Sequence, residues 1–425
     1  MINFSIPTRL TRTLTIIFSC VALLTTAQSC SIPGFTPTAP ANPTILGILK
    51  QGDSRSTSQN FIKINAVRQL DGNVNVDGLS NLSGLKTIRY DQDILYLLTQ
   101  EKGLFRSETG GYTWDRKYIF PVGSTKTDQN EINRELNSQI TRNNLVIPTD
   151  LAINPQNDQI IYVAATDNKV GKVFQSTDGG ETFRESYTEV KTNTGVRFIT
   201  VDPRNPLRVY AVLLGGSLIR SLDGGFTWQK IRSFKETPVQ IGFVPEFNNI
   251  LFLLFPSQGL AVSSNDGEDF RTVELTKEQS SIGENQPKDG LDLSFSGNST
   301  FGRYDKIVPI TANTSESWIL LADKQIWYTD NLDTKMTKLV LPLQSEQQNL
   351  LDVAPDPKLG LEKILVSIND KLFESTNKGI SWSVNNRITT KIGNIGQILI
   401  DPDDTKVIYL MLLDARYTRN GGLFT

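Results

Sequence analysis

The stretch Ser221-Leu222-Asp223-Gly224-Gly225-Phe226-Thr227-Trp228 decides the fold of this 425-residue chain, because variants of it return along the sequence. A second clean copy runs from Ser176 to Phe183, and looser copies begin at Ser107, Ser263, Thr329 and Ser375. Short serine and aspartate side chains can hydrogen-bond nearby backbone groups and close a turn. Glycine supplies backbone angles that a Cβ would penalise, and the closing aromatic residue buries a large apolar face. The motif, called the box below, therefore predicts a tight turn between two strands.

The spacing of the boxes predicts a repeated four-stranded unit. Their starts, at residues 107, 176, 221, 263, 329 and 375, differ by 69, 45, 42, 66 and 46 residues. A period near forty-five residues is typical of one propeller blade. We interpret the two long intervals as single blades that carry insertions, at about 121–147 and 276–305. Short β-branched and aromatic runs before each box predict the order strand A, turn, strand B, loop, strand C, box, strand D.

The pattern S/T-x-D-x-G-x-T-W/F resembles the Asp-box (BNR) repeat of β-propellers. The resemblance implies an all-β, seven-bladed β-propeller of four-stranded antiparallel blades over residues 61–425, with an N-terminal strand closing the last blade. Residues 398–413 supply strands A and B of that blade, and 421–425 resemble a strand C with no box after it. We predict that the alternating run 61–68 completes the blade and leaves no exposed edge. A truncated chain is the competing interpretation.

Within that family the chain is closest in type to sortilin-like and photosystem II assembly factor-like propellers, which do not catalyse reactions. Sialidase-like members carry an early F/Y-R-I-P motif, which the chain after residue 29 lacks. Xyloglucanase-like members carry an acidic residue in a T-D-x-G-G context, where this chain has Thr99-Gln100-Glu101-Lys102-Gly103. Both are therefore more distant resemblances.

The first sixty residues are typical of export. Arg9 and Arg12 precede the apolar stretch 13–24, so we predict that residues 1–29 are a signal peptide. Cys30 follows Ala27 and Ser29, which resembles a bacterial lipobox and implies lipidation of Cys30. A plain signal peptide with an incidental cysteine is the alternative. Residues 30–60 are predicted to be the anchor cysteine and a Pro/Thr/Ser-rich linker. The expected location is extracytoplasmic, anchored to the bacterial cell membrane or outer membrane.

Composition excludes several chemistries. The chain contains no histidine, which removes Ser-His-Asp systems, histidine-ligated zinc and imidazole bases. Cys20 lies in the signal, so the mature chain would keep only Cys30 and no thiolate site. We expect no metal and no cofactor. The formal net charge of −2 disfavours nucleic acid, and no basic run suggests membrane contact except through the lipid anchor.

Candidate binding residues lie where the predicted insertions emerge. In propellers the D–A and B–C loops share one face, and the boxes lie on the opposite one. Arginine and tyrosine are common at energetic hot spots of protein interfaces. On this basis we predict a site for a protein or an acidic glycan. Its proposed residues are Arg303, Tyr304, Arg416, Tyr417 and Arg419. Residues 128–140 of the first insertion also show the spacing of a short amphipathic helix. Neutral decoration is the alternative for all these loops.

The sequence thus favours an exported binding or assembly scaffold rather than an enzyme. Its alternative is a carboxylate-dependent glycoside hydrolase of xyloglucanase-like type, because two carboxylates suffice for that reaction. The box aspartates Asp178 and Asp223 are expected to close turns and not to bind metal or catalyse. Asparagine or threonine replaces them in other boxes.

Overall fold

The computed structural model describes these residues: 44–51, 62–63, 66–68, 74–75, 82–89, 93–99, 103–118, 146–167, 169–244, 250–273, 275, 301–310, 312, 317–330, 336–342, 350–388 and 393–413. These segments form thirty β-strands. The strands are β1 (Thr44–Gln51), β2 (Ile62–Lys63), β3 (Val67–Arg68), β4 (Val74–Asn75), β5 (Leu82–Arg89), β6 (Leu95–Thr99), β7 (Gly103–Ser107), β8 (Trp114–Tyr118), β9 (Ile147–Ile153), β10 (Ile161–Asp167), β11 (Val170–Ser176), β12 (Arg184–Thr188), β13 (Val196–Val201), β14 (Val209–Leu213), β15 (Ser217–Ser221), β16 (Gln229–Ser233), β17 (Gln240–Val244), β18 (Ile250–Phe255), β19 (Gly259–Ser263), β20 (Arg271–Val273), β21 (Tyr304–Ile310), β22 (Ser317–Ala322), β23 (Gln325–Thr329), β24 (Thr337–Lys338), β25 (Leu350–Asp356), β26 (Gly360–Ile368), β27 (Lys371–Ser375), β28 (Ser383–Val384), β29 (Asn394–Ile400) and β30 (Ile408–Leu413).

The strands form seven antiparallel blades, which confirms the predicted fold class. Blades 1 to 6 are β5–β8, β9–β12, β13–β16, β17–β20, β21–β24 and β25–β28, each in the order A, B, C, D. Blade 7 combines β29 and β30 with β1 and β2 from the other end of the chain. Each predicted box joins strands C and D of one blade. The two long intervals between boxes contain the D–A connections from blade 1 to blade 2 and from blade 4 to blade 5, where the insertions were predicted.

The core lies between neighbouring blades. Strand B is mostly apolar and buried, as in Ile250–Phe255 and Ser317–Ala322, because blades cover both of its faces. One core cluster joins Tyr96 and Leu104 of blade 1 to Leu151 of blade 2. Strand D is more polar and more exposed, as in β12 and β16, which suits an outer edge that must not pair with other chains.

The N-terminal strand closes the ring, but the closing segment differs from the predicted one. Residues 44–51 form β1, which pairs with β30 from Ile45↔Leu413 to Gln51↔Ile408 and so occupies the strand C position of blade 7. The prediction that 61–68 completes this blade is correct only for Ile62–Lys63, which pairs with β1 as strand D. Val67–Arg68 instead pairs with β8 at the outer edge of blade 1.

The ring therefore begins at Thr44, earlier than the predicted boundary at residue 61, and part of the predicted linker 30–60 belongs to it. A strand next to β30 gains a full ladder of hydrogen bonds and buries Ile48 and Leu49, which a linker position would leave in water. The predicted helix in 128–140 and the strand-like segment 421–425 lie outside the described residues.

Two faces of the ring are defined by their loops. The turn face carries the B–C turns and the D–A connections, which hydrogen-bond each other: Thr194 donates its N–H to the carbonyl oxygen of Lys169 (2.9 Å), and Phe234 to that of Gly216 (2.8 Å). The box face carries the A–B turns and the boxes, where Gly224 donates its N–H to the carbonyl oxygen of Leu207 (2.8 Å). The predicted division of loops between the faces is confirmed for these blades.

Candidate functional site

The boxes are closed by their own side chains. In blade 3, Ser221 Oγ accepts the N–H of Gly225 (2.8 Å) and donates to Asp223 (2.8 Å). Asp223 also accepts the N–H (2.8 Å) and the hydroxyl (2.6 Å) of Thr227. These hydrogen bonds, led by the Thr227 hydroxyl, lower the pKa of Asp223 to about 2. Gly225 has a φ of 85°, which explains the glycine.

The same network recurs in other boxes with different acceptors. Ser176 and Asp178 repeat the blade 3 arrangement. Burial raises the pKa of Asp178, but hydrogen bonds from Thr182 and Ser176 outweigh that effect and lower it overall. Asn265 and Asn377 accept the equivalent N–H bonds through their amide oxygens. Since asparagine accepts the equivalent backbone bonds at these positions, the box carboxylates close turns, as predicted.

The boxes of blades 3 and 4 also attach these blades to the preceding ones. Tyr162 of blade 2 donates its hydroxyl to the carbonyl oxygen of Gly224 in the blade 3 box (3.0 Å), and Gln175 Nε2 donates to the same oxygen (2.8 Å). In blade 3, Tyr210 (3.1 Å) and Arg220 (2.8 Å) bind the carbonyl oxygen of Asp266 in the blade 4 box. Burial is the main cause that raises the pKa of both tyrosines to about 12, so the hydroxyls remain protonated donors.

Lys50 of the N-terminal strand occupies the position of Gln175 and Arg220 in the repeat. It lies opposite Tyr409, and its Nζ donates to the carbonyl oxygen of Gly110 in the blade 1 box (3.0 Å). The Tyr409 hydroxyl approaches the same oxygen (3.5 Å). The side chain is only 5% exposed and lies over the Tyr112 and Tyr409 rings, 4.9 and 5.4 Å from their centroids. Ring closure therefore uses the same inter-blade contact as the internal blades.

Around the central channel, one register position of strand A connects successive blades. The residues at this position in blades 1 to 7 are Lys86, Asp150, Phe198, Gln240, Lys306, Asp352 and Gln397. Asp150 and Asp352 accept N–H bonds from Ile199 (3.0 Å) and Ile398 (2.8 Å) of the following blade. These inner carboxylates thus cap strand edges that would otherwise face the channel unpaired.

Two more members of this position make equivalent contacts. The Gln240 amide both donates to the carbonyl oxygen and accepts the N–H of Ile307, each at 2.9 Å. Lys306 Nζ donates to Asp352 Oδ1 (2.6 Å) and to the carbonyl oxygen of Val353 (3.2 Å). Sequence inspection missed this set, because side-chain identity varies from blade to blade. Its one signal is a polar residue four or five positions before the A–B turn.

A cavity of about 310 Å³ lies among the inner strands of blades 4 to 7. Its walls are mainly aliphatic and proline side chains, including the half-buried Val308, Ala354 and Leu399. Of its polar lining residues, Gln240 and Lys306 make inter-blade bonds, and Asp356 Oδ1 accepts the N–H groups of Lys358 and Leu359. The cavity can therefore receive apolar groups, and it offers a bound molecule few free polar side chains.

Two residues of the predicted binding set, Arg303 and Tyr304, lie among the described residues. Arg303 lies on the turn face as expected, 55% exposed at its side chain, and its Nε donates to Asp305 (2.9 Å). Tyr304 is 2% exposed and packs against Phe301 in the core between blades 4 and 5. Its ring is consequently not available for docking. Arg416, Tyr417, Arg419 and the predicted lipidation site Cys30 lie outside the described residues.

Among the described residues, no group of three or more histidine, cysteine or acidic side chains is placed to hold a metal ion. Within the same segments, no helix combines the length and apolar character needed to cross a membrane.

Solved structures with this fold include both binding proteins and hydrolases. The chain is similar to YCF48 bound to D1 peptide, with a TM-score of 0.52 and 12% identity over 79% of this chain and 94% of that one. YCF48 from Cyanidioschyzon merolae gives 0.52 and 12% over 77% and 95%. The GH74 xyloglucanase from Xanthomonas campestris gives 0.52 and 16% over 76% of this chain, but this chain spans only 49% of that enzyme. No family model and no curated protein matches the sequence. At these identities the likeness shows the propeller fold alone.

Proposed function

We propose that this protein is an exported, lipid-anchored propeller that binds a segment of a partner protein and acts as an assembly scaffold. One observation carries the proposal. The inner-strand carboxylates Asp150 and Asp352, which a hydrolase could have used at the ring centre, are hydrogen-bonded to backbone N–H groups of the next blade. General acid catalysis needs a carboxyl group free to exchange a proton with substrate. These two carboxylates therefore connect neighbouring blades.

The likeness to a propeller solved with a peptide supports the same direction. YCF48 bound to D1 peptide matches almost its full length to this chain, whereas the xyloglucanase matches about half of its own. No contact among the described residues favours the glycoside hydrolase. The proposed docking residues are Arg303 on the turn face together with Arg416 and Arg419. An acidic glycan could bind the same cations. Competition with a sulfated glycan in the capture experiment distinguishes a protein ligand from a glycan ligand.

The experiment compares two charge-reversed variants in capture of membrane-associated proteins. Arg416→Glu with Arg419→Glu should abolish capture by the anchored protein, because a cationic contact becomes repulsive. The matched control is Arg204→Glu with Lys406→Glu, two exposed cations of the box face, which should capture normally. Undiminished capture by the first pair would refute the placement of the site. If a sulfated glycan abolishes all protein capture, the proposed ligand would be an acidic glycan and not a protein.

Anchoring is tested separately. Cys30→Ser should move the protein from the membrane fraction to the soluble fraction, since it removes the proposed acylated thiol. Cell fractionation followed by immunoblotting measures this, and an unchanged distribution would contradict the lipid anchor.

A further inference from the structure

The N-terminal strand enters the ring on the turn face. β1 runs antiparallel to β30, so Ile45 lies beside Leu413 at the B–C end of blade 7, and Gln51 lies beside Ile408 at the A–B end. A second pairing agrees, because Thr44 and Ile45 also lie beside Ser83 and Leu82, where strand A of blade 1 begins. The chain that precedes Thr44 therefore joins the ring on the face of the B–C turns and D–A connections.

Exposed charged residues are also distributed unequally between the turn face and the box face. Among the described residues of the turn face, the exposed charged residues are seven cations and one anion: Lys169, Lys191, Lys235, Arg303, Lys324, Lys371 and Arg387, against Asp370. Among those of the box face they are nine anions and four cations: Asp93, Glu108, Glu181, Glu268, Asp269, Asp330, Glu362, Asp403 and Asp404, against Arg204, Lys358, Lys378 and Lys406. The described part of the turn face is therefore basic, although the formal net charge of the chain is −2.

Arg303 of the turn face pairs with Asp305, but three lysines of this face have no carboxylate partner among the described residues. Lys169, Lys324 and Lys371 lie in or next to the tips of B–C turns, and none makes an ion pair with the described residues. Lys169 and Lys324 hold φ angles of 68° and 60°, which lysine rarely adopts. Two half-buried acidic residues on this face accept hydrogen bonds from neighbouring groups. Asp323 accepts the N–H groups of Gly302 and Arg303, and Glu236 binds Ser257.

We propose that the turn face docks onto the anionic headgroups of a lipid bilayer. The lysines lie on separate turns around the ring, so they can meet a flat charged surface together, whereas the acidic box face would be repelled. A lysine near an anionic membrane strengthens binding about fivefold, within a Debye length of about 8 Å at physiological salt. A single acyl chain anchors only marginally and needs a second such contribution for stable attachment.

The tether geometry agrees with this orientation and rests on the lipid anchor proposed above. Thirteen residues separate Cys30 from Thr44, a contour of at most about 45 Å. Because the chain joins the turn face, a short tether would hold that face toward the bilayer. A partner segment captured there would belong to a protein at the membrane surface.

Vesicle binding without lipidation tests the electrostatic contact by itself. The full chain carrying Cys30→Ser is titrated with phosphatidylcholine vesicles that contain phosphatidylglycerol, and with pure phosphatidylcholine. Adding Lys169→Gln, Lys324→Gln and Lys371→Gln should weaken binding to the anionic vesicles roughly 100-fold. The matched control neutralises three box-face cations, Arg204→Gln, Lys358→Gln and Lys406→Gln, and should bind at least as well as the parent. Thermal melts confirm that both variants fold.

Several results would overturn the proposal. These are equal loss in both triple variants, no loss in the turn-face variant, or equal binding of the parent to anionic and neutral vesicles. Binding to polyglutamate without binding to vesicles would assign the face to an acidic protein segment instead. All of these readouts are independent of the partner protein and of the acyl chain, so they can fail while the proposed function stands.

Orientation on the membrane is measured with the anchored protein. A fluorophore on Asp370→Cys of the turn face should be quenched by headgroup-labelled lipid, and one on Asp403→Cys of the box face should not. Both substitutions remove one exposed acidic residue, so their effects on charge match. Stronger quenching at residue 403 would reverse the orientation. Loss of both signals from the membrane fraction would refute the anchor itself.

Discussion

Lys50 gives the most specific test of how the ring closes. Replacing it with methionine keeps an unbranched side chain but removes the donor to the Gly110 carbonyl oxygen and the contacts with the Tyr112 and Tyr409 rings. A hydrogen bond from a charged donor contributes about 2 kcal/mol, and cation–π contacts in a desolvated site contribute about 1 kcal/mol. The desolvation cost of the buried ammonium, which methionine lacks, offsets part of this contribution. We therefore expect Lys50→Met to lower the free energy of unfolding by about 2 kcal/mol.

The repeat itself supplies the controls. Arg220 and Gln175 occupy the equivalent position in blades 3 and 2 and make the same kind of bond to the next box. Lys50→Arg and Lys50→Gln should thus retain most of the stability that Lys50→Met loses. Lys406→Met, at an exposed lysine of the same blade, should change it by less than about 0.5 kcal/mol.

Urea titration followed by tryptophan fluorescence measures all four variants. If Lys50→Met unfolds at the parent's urea concentration, the inter-blade contact does not stabilise closure. If arginine and glutamine destabilise as much as methionine, the equivalence between β1 and the internal C strands is wrong.

Three further predictions concern the boxes and the channel. Ser221→Ala should cost about 1–3 kcal/mol of folding stability in urea titration, because it leaves the N–H of Gly225 without its acceptor; a neutral result would contradict turn closure by serine. Asp223, whose pKa falls to about 2 on folding, stabilises the protein above its unfolded pKa and loses that contribution as pH falls through about 2. Asp223→Asn should accordingly be less stable than the parent at neutral pH and match it in acid melts near pH 2; a pH-independent difference would refute this. Gln240→Ala should cost about 1–2 kcal/mol by removing both bonds to Ile307, and Gln240→Glu, which keeps the acceptor, should lose less; equal losses would show that the acceptor contributes nothing.

The face on which a loop lies could be predicted from the sequence, but the burial of individual residues could not. Arg303 lies on the expected face, because the order of strands within a blade determines which loops share a face. Tyr304 is the next residue, yet it is buried. It is the first residue of β21 and packs into the core. No local pattern in the sequence indicates this burial, because the strand begins only one residue after Arg303.

The sequence by itself determined the repeated blade and its strand order. The box closes through bonds that span only two to four residues, as between Ser221 and Gly225, so local residue types suffice to specify it. The tertiary structure alone decided which N-terminal segment closes the ring, because β1 and β30 are more than three hundred residues apart and the alternating run 61–68 is as plausible a strand as the apolar run 44–51. It also decided the charged faces, since lysines far apart in the chain meet there only after seven blades have closed. Contacts between blades depend on that geometry, which no local pattern encodes.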